Sequence, residues 1–196
     1  MKQVFISYPS DGTAPSPADL LTNRTMRHLL DGLREYYDWI VVDTSKSFTP
    51  PTLATFEQAD SVFLVTNVDL PSLRNITRCL PLLERMGQVK EDDWLRIVVN
   101  RYQASDPITL KEIEKTLGIP VYWTLANDYE SVMNSINSGK PVVLSDKSAF
   151  ARDMKAFVTD VSGTAPSRDS KSSLLENLKP LKKLFGRSQG EARGEA

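Results

Sequence analysis

Four short stretches of the chain are apolar almost without a break or alternate regularly, and they set the frame for everything between them. Residues 3–8 (QVFISY) alternate as a strand does. WIVVD at 39–43, SVFLVT at 61–66 and LRIVVN at 95–100 are β-rich and nearly continuous in apolar residues, the pattern of strands buried on both faces. VYWTL at 121–125 adds a further short strand. Over 18–36, Leu20, Leu21, Met26, Leu29, Leu30 and Leu33 recur mostly at helical spacing, with Arg and Asp on the remaining face. Further helical patterns occupy 52–59, 70–86, 109–117, 129–138 and 148–160. Strand followed by helix, repeated, predicts a mostly parallel sheet covered by helices: an α/β three-layer sandwich.

The same pattern marks where the domain stops. Residues 9–17 are dense in turn formers and predict a loop. Around 162–171 (SGTAPSRDSK) the apolar period gives way to Ser, Gly, Pro and charge, so the domain is expected over 1–161 with a linker behind it. SSLLENLKPLKKLFGR at 172–187 is periodic again, and SQGEARGEA at 188–196 has the composition of a disordered terminus.

Composition changes this picture little. A length of 196 residues suits one α/β domain plus a tail, and 40% apolar with 25% charged residues is enough for a sizeable core. A formal net charge of -1 gives no overall attraction to nucleic acid. Cys79 is the single cysteine, so no internal disulfide and no thiolate metal cluster can form. No run of about 18 apolar residues occurs, which argues for a cytoplasmic chain that does not span a membrane.

Ligands of open parallel sheets bind beyond the carboxyl ends of the strands, so polar residues that terminate apolar runs are the candidates for chemistry. Asp43 ends WIVVD, where a carboxylate can hold a magnesium shell or orient water beside a phosphate. Asn100 ends LRIVVN with an amide that offers both an acceptor and a donor, as a purine edge requires. Asn127 and Asp128 follow VYWTLA at the start of a helix, where both residue types also serve as caps. A strand-end turn is the plain reading of Asp43, and backbone satisfaction the plain reading of Asn100. His28 stands on a helix without a nucleophile pattern around it, Cys79 falls in an apolar helix as a core residue would, and Trp39, Trp94 and Trp123 flank strands as packing residues.

Taken in order, YDWIVVDT at 37–44, ADSVFLVTNVDLPSLRN at 59–75, RIVVNRY at 96–102 and IPVYWTLANDYESVMNSINSGKP at 119–141 resemble the MinD/ParA family of deviant Walker ATPases, in particular its CpaE/TadZ-like pilus-assembly branch. The resemblance runs from about Tyr37 to Val161. It implies a P-loop NTPase-like fold, ATP and Mg as cofactors, Asp43 on the switch-II strand as the catalytic and metal-side carboxylate, Asn100 as the adenine reader, and Asn127 and Asp128 against the base. Two departures stand beside it. The Gly-rich, lysine-bearing phosphate loop of the family has no counterpart among the nine scattered glycines, and DTSKSFTPP at 43–51 displaces the prolines that usually follow the switch-II Asp directly. The expected sheet is therefore incomplete by its first strand, loop and helix, as in a truncated product, a misassigned start or a degenerate paralogue. An incomplete sheet leaves an exposed edge or gap, which predicts dimerisation, marginal stability or a partner that fills the space. Alone, the chain is expected to hydrolyse ATP poorly or not at all.

In the tail, Leu174, Leu178, Leu181 and Phe185 fall in one helical stripe with Leu175 and Leu184 at its edges, and Lys179, Lys182 and Lys183 lie beside or opposite it. Pro180 interrupts this helix at a cost of roughly 3 kcal/mol, leaving 181–185 as the surviving anchor. Each basic residue near an anionic surface contributes about 1 kcal/mol, so reversible attachment is feasible. The segment is similar to the C-terminal membrane-targeting helix of MinD-type proteins, which implies a protein peripheral at the inner leaflet of the cytoplasmic membrane, and the CpaE-type resemblance implies pilus or secretion machinery as partners. An N-terminally truncated active ATPase and a non-catalytic dimeric scaffold are the alternatives. DNA binding ranks below them, because the basic cluster carries an apolar stripe suited to lipid.

Overall fold

The computed structural model describes residues 3–7, 22–44, 47–87, 94–144 and 147–163. The expected loop at 9–17, most of the linker at 162–171, the amphipathic segment at 172–187 with Leu174, Leu178, Leu181, Lys182, Lys183, Leu184 and Phe185, and the terminus at 188–196 lie outside the described residues. Elements follow the predicted order: β1 (Gln3–Ser7), α1 (Asn23–Arg34), β2 (Trp39–Asp43), α2 (Pro50–Gln58), β3 (Val62–Asn67), α3 (Leu70–Gly87), β4 (Leu95–Tyr102), α4 (Leu110–Leu117), β5 (Val121–Ala126), α5 (Tyr129–Ser138), a 3-10 turn (Val142–Leu144) and α6 (Ala149–Ser162). The fold is an incomplete α/β fold with a parallel three-stranded sheet.

Local chemistry accounts for the helix ends. Thr22 accepts from the Thr25 amide and starts α1. Thr109 and Glu112 form a reciprocal capping box on α4, which Gly118 closes in the left-handed region. The hydrogen bonds from Thr109 hold the Glu112 carboxyl below its ordinary pKa. Gly139 and Gly163 end α5 and α6 in the same left-handed way.

Two compact units make up the chain: Met1–Val98 with Ile108–Tyr122, and Val99–Pro107 with Trp123–Ala196. In the first, Met26, Leu30 and Ala54 form one core cluster against Ile40 and Val42. Val62, Leu83 and Trp94 form another, surrounded by Phe48, Phe56, Leu64, Cys79 and Met86. The Trp94 indole donates to the Ala59 carbonyl at 3.0 Å, and the Val62 amide donates to the Trp94 carbonyl at 2.7 Å, so the start of β3 is tied to the start of β4. Arg96 lies over the Tyr122 ring, 4.6 Å from its centroid, and donates to the Tyr122 hydroxyl. In the second unit, Trp123 packs edge-on against Phe157 with centroids 5.9 Å apart, and Leu125 and Ala151 are buried.

Burial corrects one sequence expectation, that the WIVVD run is covered on both faces. They divide into two hydrogen-bonded groups, β1–β2 and β3–β4–β5, with β1 and β2 parallel in the register Gln3↔Trp39 to Ser7↔Asp43. β4 has a neighbour on each side and buries Ile97, Val98 and Val99. Among the described residues β2 pairs with β1 alone; it buries no residue and leaves Val41 52% exposed. Val65 of β3 is likewise 60% exposed. Apolar continuity alone does not bury a strand; a flanking neighbour has to be present as well.

Candidate functional site

The carboxyl ends of β4 and β5 are fixed to each other, and that of β5 to α6. The Asn127 amide donates to the Tyr102 carbonyl at 3.1 Å, and the Ala126 amide donates to Asp153 Oδ2 of α6 at 2.8 Å. Asn100 is half-buried two residues before that junction. Arg101, between them, has φ 54, the only positive φ outside glycine among the described residues. A left-handed residue inside a strand breaks the alternation of side chains immediately after Asn100.

Asp128 joins two helix starts. As the N-cap of α5 it accepts from the Ser131 amide at 3.3 Å through Oδ1. Through Oδ2 it accepts from the Ser148 hydroxyl at 2.7 Å and the Ala149 amide at 3.2 Å, both at the start of α6. Ser148 in turn caps α6 by accepting from the Ala151 amide at 3.3 Å. The Ser148 hydroxyl, with the Ser131 groups second, holds the Asp128 carboxyl below the ordinary aspartate range, because these bonds favour its charged form. Four lone-pair directions are largely occupied, so Asp128 works as a structural pin at the lip of this strand end. Asn127 beside it is exposed.

Asp43 closes β2 opposite Ser7 and is exposed, in the first unit, whereas Asn100, Asn127 and Asp128 all fall in the second. The second unit thus brings together three of the four candidate residues. Sequence reasoning missed Asp153, Ser148 and Arg101. Ser148 was legible as a cap before an apolar helix, but the reach of Asp153 to Ala126 depends on tertiary placement, and arginine gives no signal for positive φ.

The half-buried Asn100 side chain carries both an acceptor and a donor, the groups that a purine edge complements, two residues before the Tyr102 carbonyl that the Asn127 amide holds. On the metal side, no group of three or more His, Cys, Asp or Glu able to hold a metal occurs among the described residues. Magnesium commonly takes one or two carboxylates and completes its octahedron from water and phosphate oxygens, so Asp43 alone can supply one ligand or an outer-shell contact.

No family profile matches the chain. It is similar to the putative septum site-determining protein MinD of Mesostigma viride, 29% identical over 133 residues that make up 65% of this chain and 45% of that protein. The chain thus spans about half the length of the curated relatives it matches. Among solved structures, a ParA family ATPase from Chlorobium tepidum is 26% identical with a TM-score of 0.65, over 74% of this chain and 60% of its own. The MinD cell division protein of Aquifex aeolicus shares the fold at 15% identity, with a TM-score of 0.68 over 85% of this chain and 86% of its own. A MinD from Pyrococcus horikoshii, 18% identical with a TM-score of 0.55 over 67% of this chain and 53% of its own, was solved with Mg-ADP. Over part of its length, this chain is homologous to the MinD/ParA family of deviant Walker ATPases.

Proposed function

We propose that the chain is the later part of a MinD/ParA-type nucleotide switch, of the CpaE/TadZ-like kind that serves localisation or pilus assembly at a membrane. The observation that carries this reading is the strand end in the second unit, where Asn100 precedes the left-handed residue Arg101 and the Asn127 backbone is bonded to Tyr102. In this reading Asn100 selects adenine, and Asn127 and Asp128 shape the wall beside the base. Asp43 at the end of β2 contributes a carboxylate to the magnesium side. The nucleotide is ATP, bound weakly, since the phosphates find no loop of amides and lysine in this sequence. Segment 172–187 attaches the protein to the inner leaflet of the cytoplasmic membrane through Leu174, Leu178, Leu181, Leu184 and Phe185, with Lys182 and Lys183 on lipid headgroups. Pilus or secretion machinery and a second copy of the chain are the partners. No helix of the described residues is long and apolar enough to cross a membrane.

A second reading, a dimeric scaffold without catalysis, draws support from the exposed Val41 and Val65 on strands that keep an unpaired edge among the described residues. Calorimetry of Mg-ATP at millimolar nucleotide separates the two. Saturable binding that Asn100→Ala weakens at least tenfold is expected of the switch, a loss of about 1.4 kcal/mol. Equal binding by wild type and variant would overturn the assignment of Asn100, and no binding at all would leave the scaffold.

A further inference from the structure

Helix α5 carries Tyr129, Val132, Met133 and Ile136 at helical spacing, so four apolar side chains share one stripe. Its burial runs against its composition. Val132 and Met133 are half-buried, Tyr129 is 59% exposed, Ile136 is 65% exposed, and no residue of α5 is buried. Tyr129 and Ile136 are two turns apart and within about 20° of each other around the axis, so the ridge of the stripe faces out along the helix. A single exposed apolar residue is ordinary; a ridge flanked by apolar neighbours has the anchor spacing of a surface that receives another helix.

We propose that this ridge receives the chain's own segment 172–187, and that docking there withholds the segment from lipid. The inference rests on the reading of 172–187 as an amphipathic helix. Reach favours this occupant. Asp128 caps α5 and bonds the start of α6, so both helices begin at one point. At 1.5 Å per residue, α6 ends about 21 Å beyond that point, and the connection over 164–171 spans up to roughly 30 Å when extended. The segment can therefore return to α5 without unfolding anything. Exposed Glu130, one residue from the ridge, offers a carboxylate to Lys182 or Lys183. Because Leu178, Leu181 and Phe185 cannot face α5 and lipid at once, the two uses exclude each other, and membrane affinity falls by the docked fraction.

The test uses the full chain and vesicles of equimolar phosphatidylglycerol and phosphatidylcholine in a sedimentation assay. Tyr129→Ser combined with Ile136→Ser, both at well-exposed positions, is expected to bind the vesicles about tenfold more tightly than wild type, as release of a segment docked nine-tenths of the time requires. In parallel, Ile136→Cys with Leu178→Cys in a Cys79→Ala background is expected to form an intramolecular disulfide under mild oxidation. Absence of that crosslink together with unchanged vesicle binding overturns the proposal. If the crosslink forms while no version binds vesicles, docking stands and the membrane reading of the tail falls.

Discussion

Strands β2 and β4 are written in nearly the same letters, WIVVD and RIVVN, yet one is covered and the other is not. In β4 the residues Ile97, Val98 and Val99 are 0–2% exposed, between β3 and β5. In β2 the matching apolar positions are half-buried at best, and Val41 is 52% exposed. The difference is one of neighbours, since the composition is shared. A strand sequence suited to burial on both faces is thus found with one face open.

The largest test of that contrast removes the same atoms from each strand. Ile97→Ala should cost about 2–5 kcal/mol by urea denaturation, because a fully enclosed side chain leaves a cavity. Ile40→Ala in β2 should cost less than half as much, and equal losses would break the comparison. Next in size is Trp94→Phe, expected to lose about 1 kcal/mol or somewhat more as the bond to the Ala59 carbonyl disappears and a smaller ring fills the cluster. Arg101→Val should lose about 1 kcal/mol by placing a branched side chain at positive φ, while Arg101→Gly should match or slightly exceed wild type. Smallest, Val41→Lys and Val65→Lys should stay within about 0.5 kcal/mol in the isolated chain, because both positions are already open to solvent. If either lysine destabilises the chain strongly, the open face is closed in solution.

The pin at Asp128 adds a pH axis to the second unit. Its folded pKa is depressed, so its stabilisation is fully present above the unfolded aspartate value and is lost as pH falls through the folded one. The stability gap between wild type and Asp128→Asn should accordingly be widest near neutrality and close in acid. A gap that stays constant across the titration would show that the charge on Asp128 carries none of the difference.

Much of this was legible in the sequence because it is local. Thr109 with Glu112 and Gly118 frame α4, Asp128 and Gly139 frame α5, and the apolar runs put every strand within one or two residues of its place. What sequence could not separate was the environment of runs alike in composition: β2 and β4 differ only in what lies beside them. The same holds at the candidate site. Asn100, Asn127 and Asp128 stood out as polar residues ending strands, whereas Asp153 lies mid-helix in α6 and becomes relevant only when the chain brings it back to Ala126. Asp43 was found by the same logic as Asn100, but its strand belongs to the other unit.

The shared carboxylate of Asp128 has a kinetic consequence. Two helices whose first turns hang on one side chain cannot fray independently: releasing the Ser148 and Ala149 bonds also loosens the cap on Ser131. In hydrogen-exchange measurements the amides of Ser131 and Ala149 should therefore open with a common free energy, as members of one cooperative group. Asp128→Asn would then speed both together, although one amide lies at the start of α5 and the other at the start of α6.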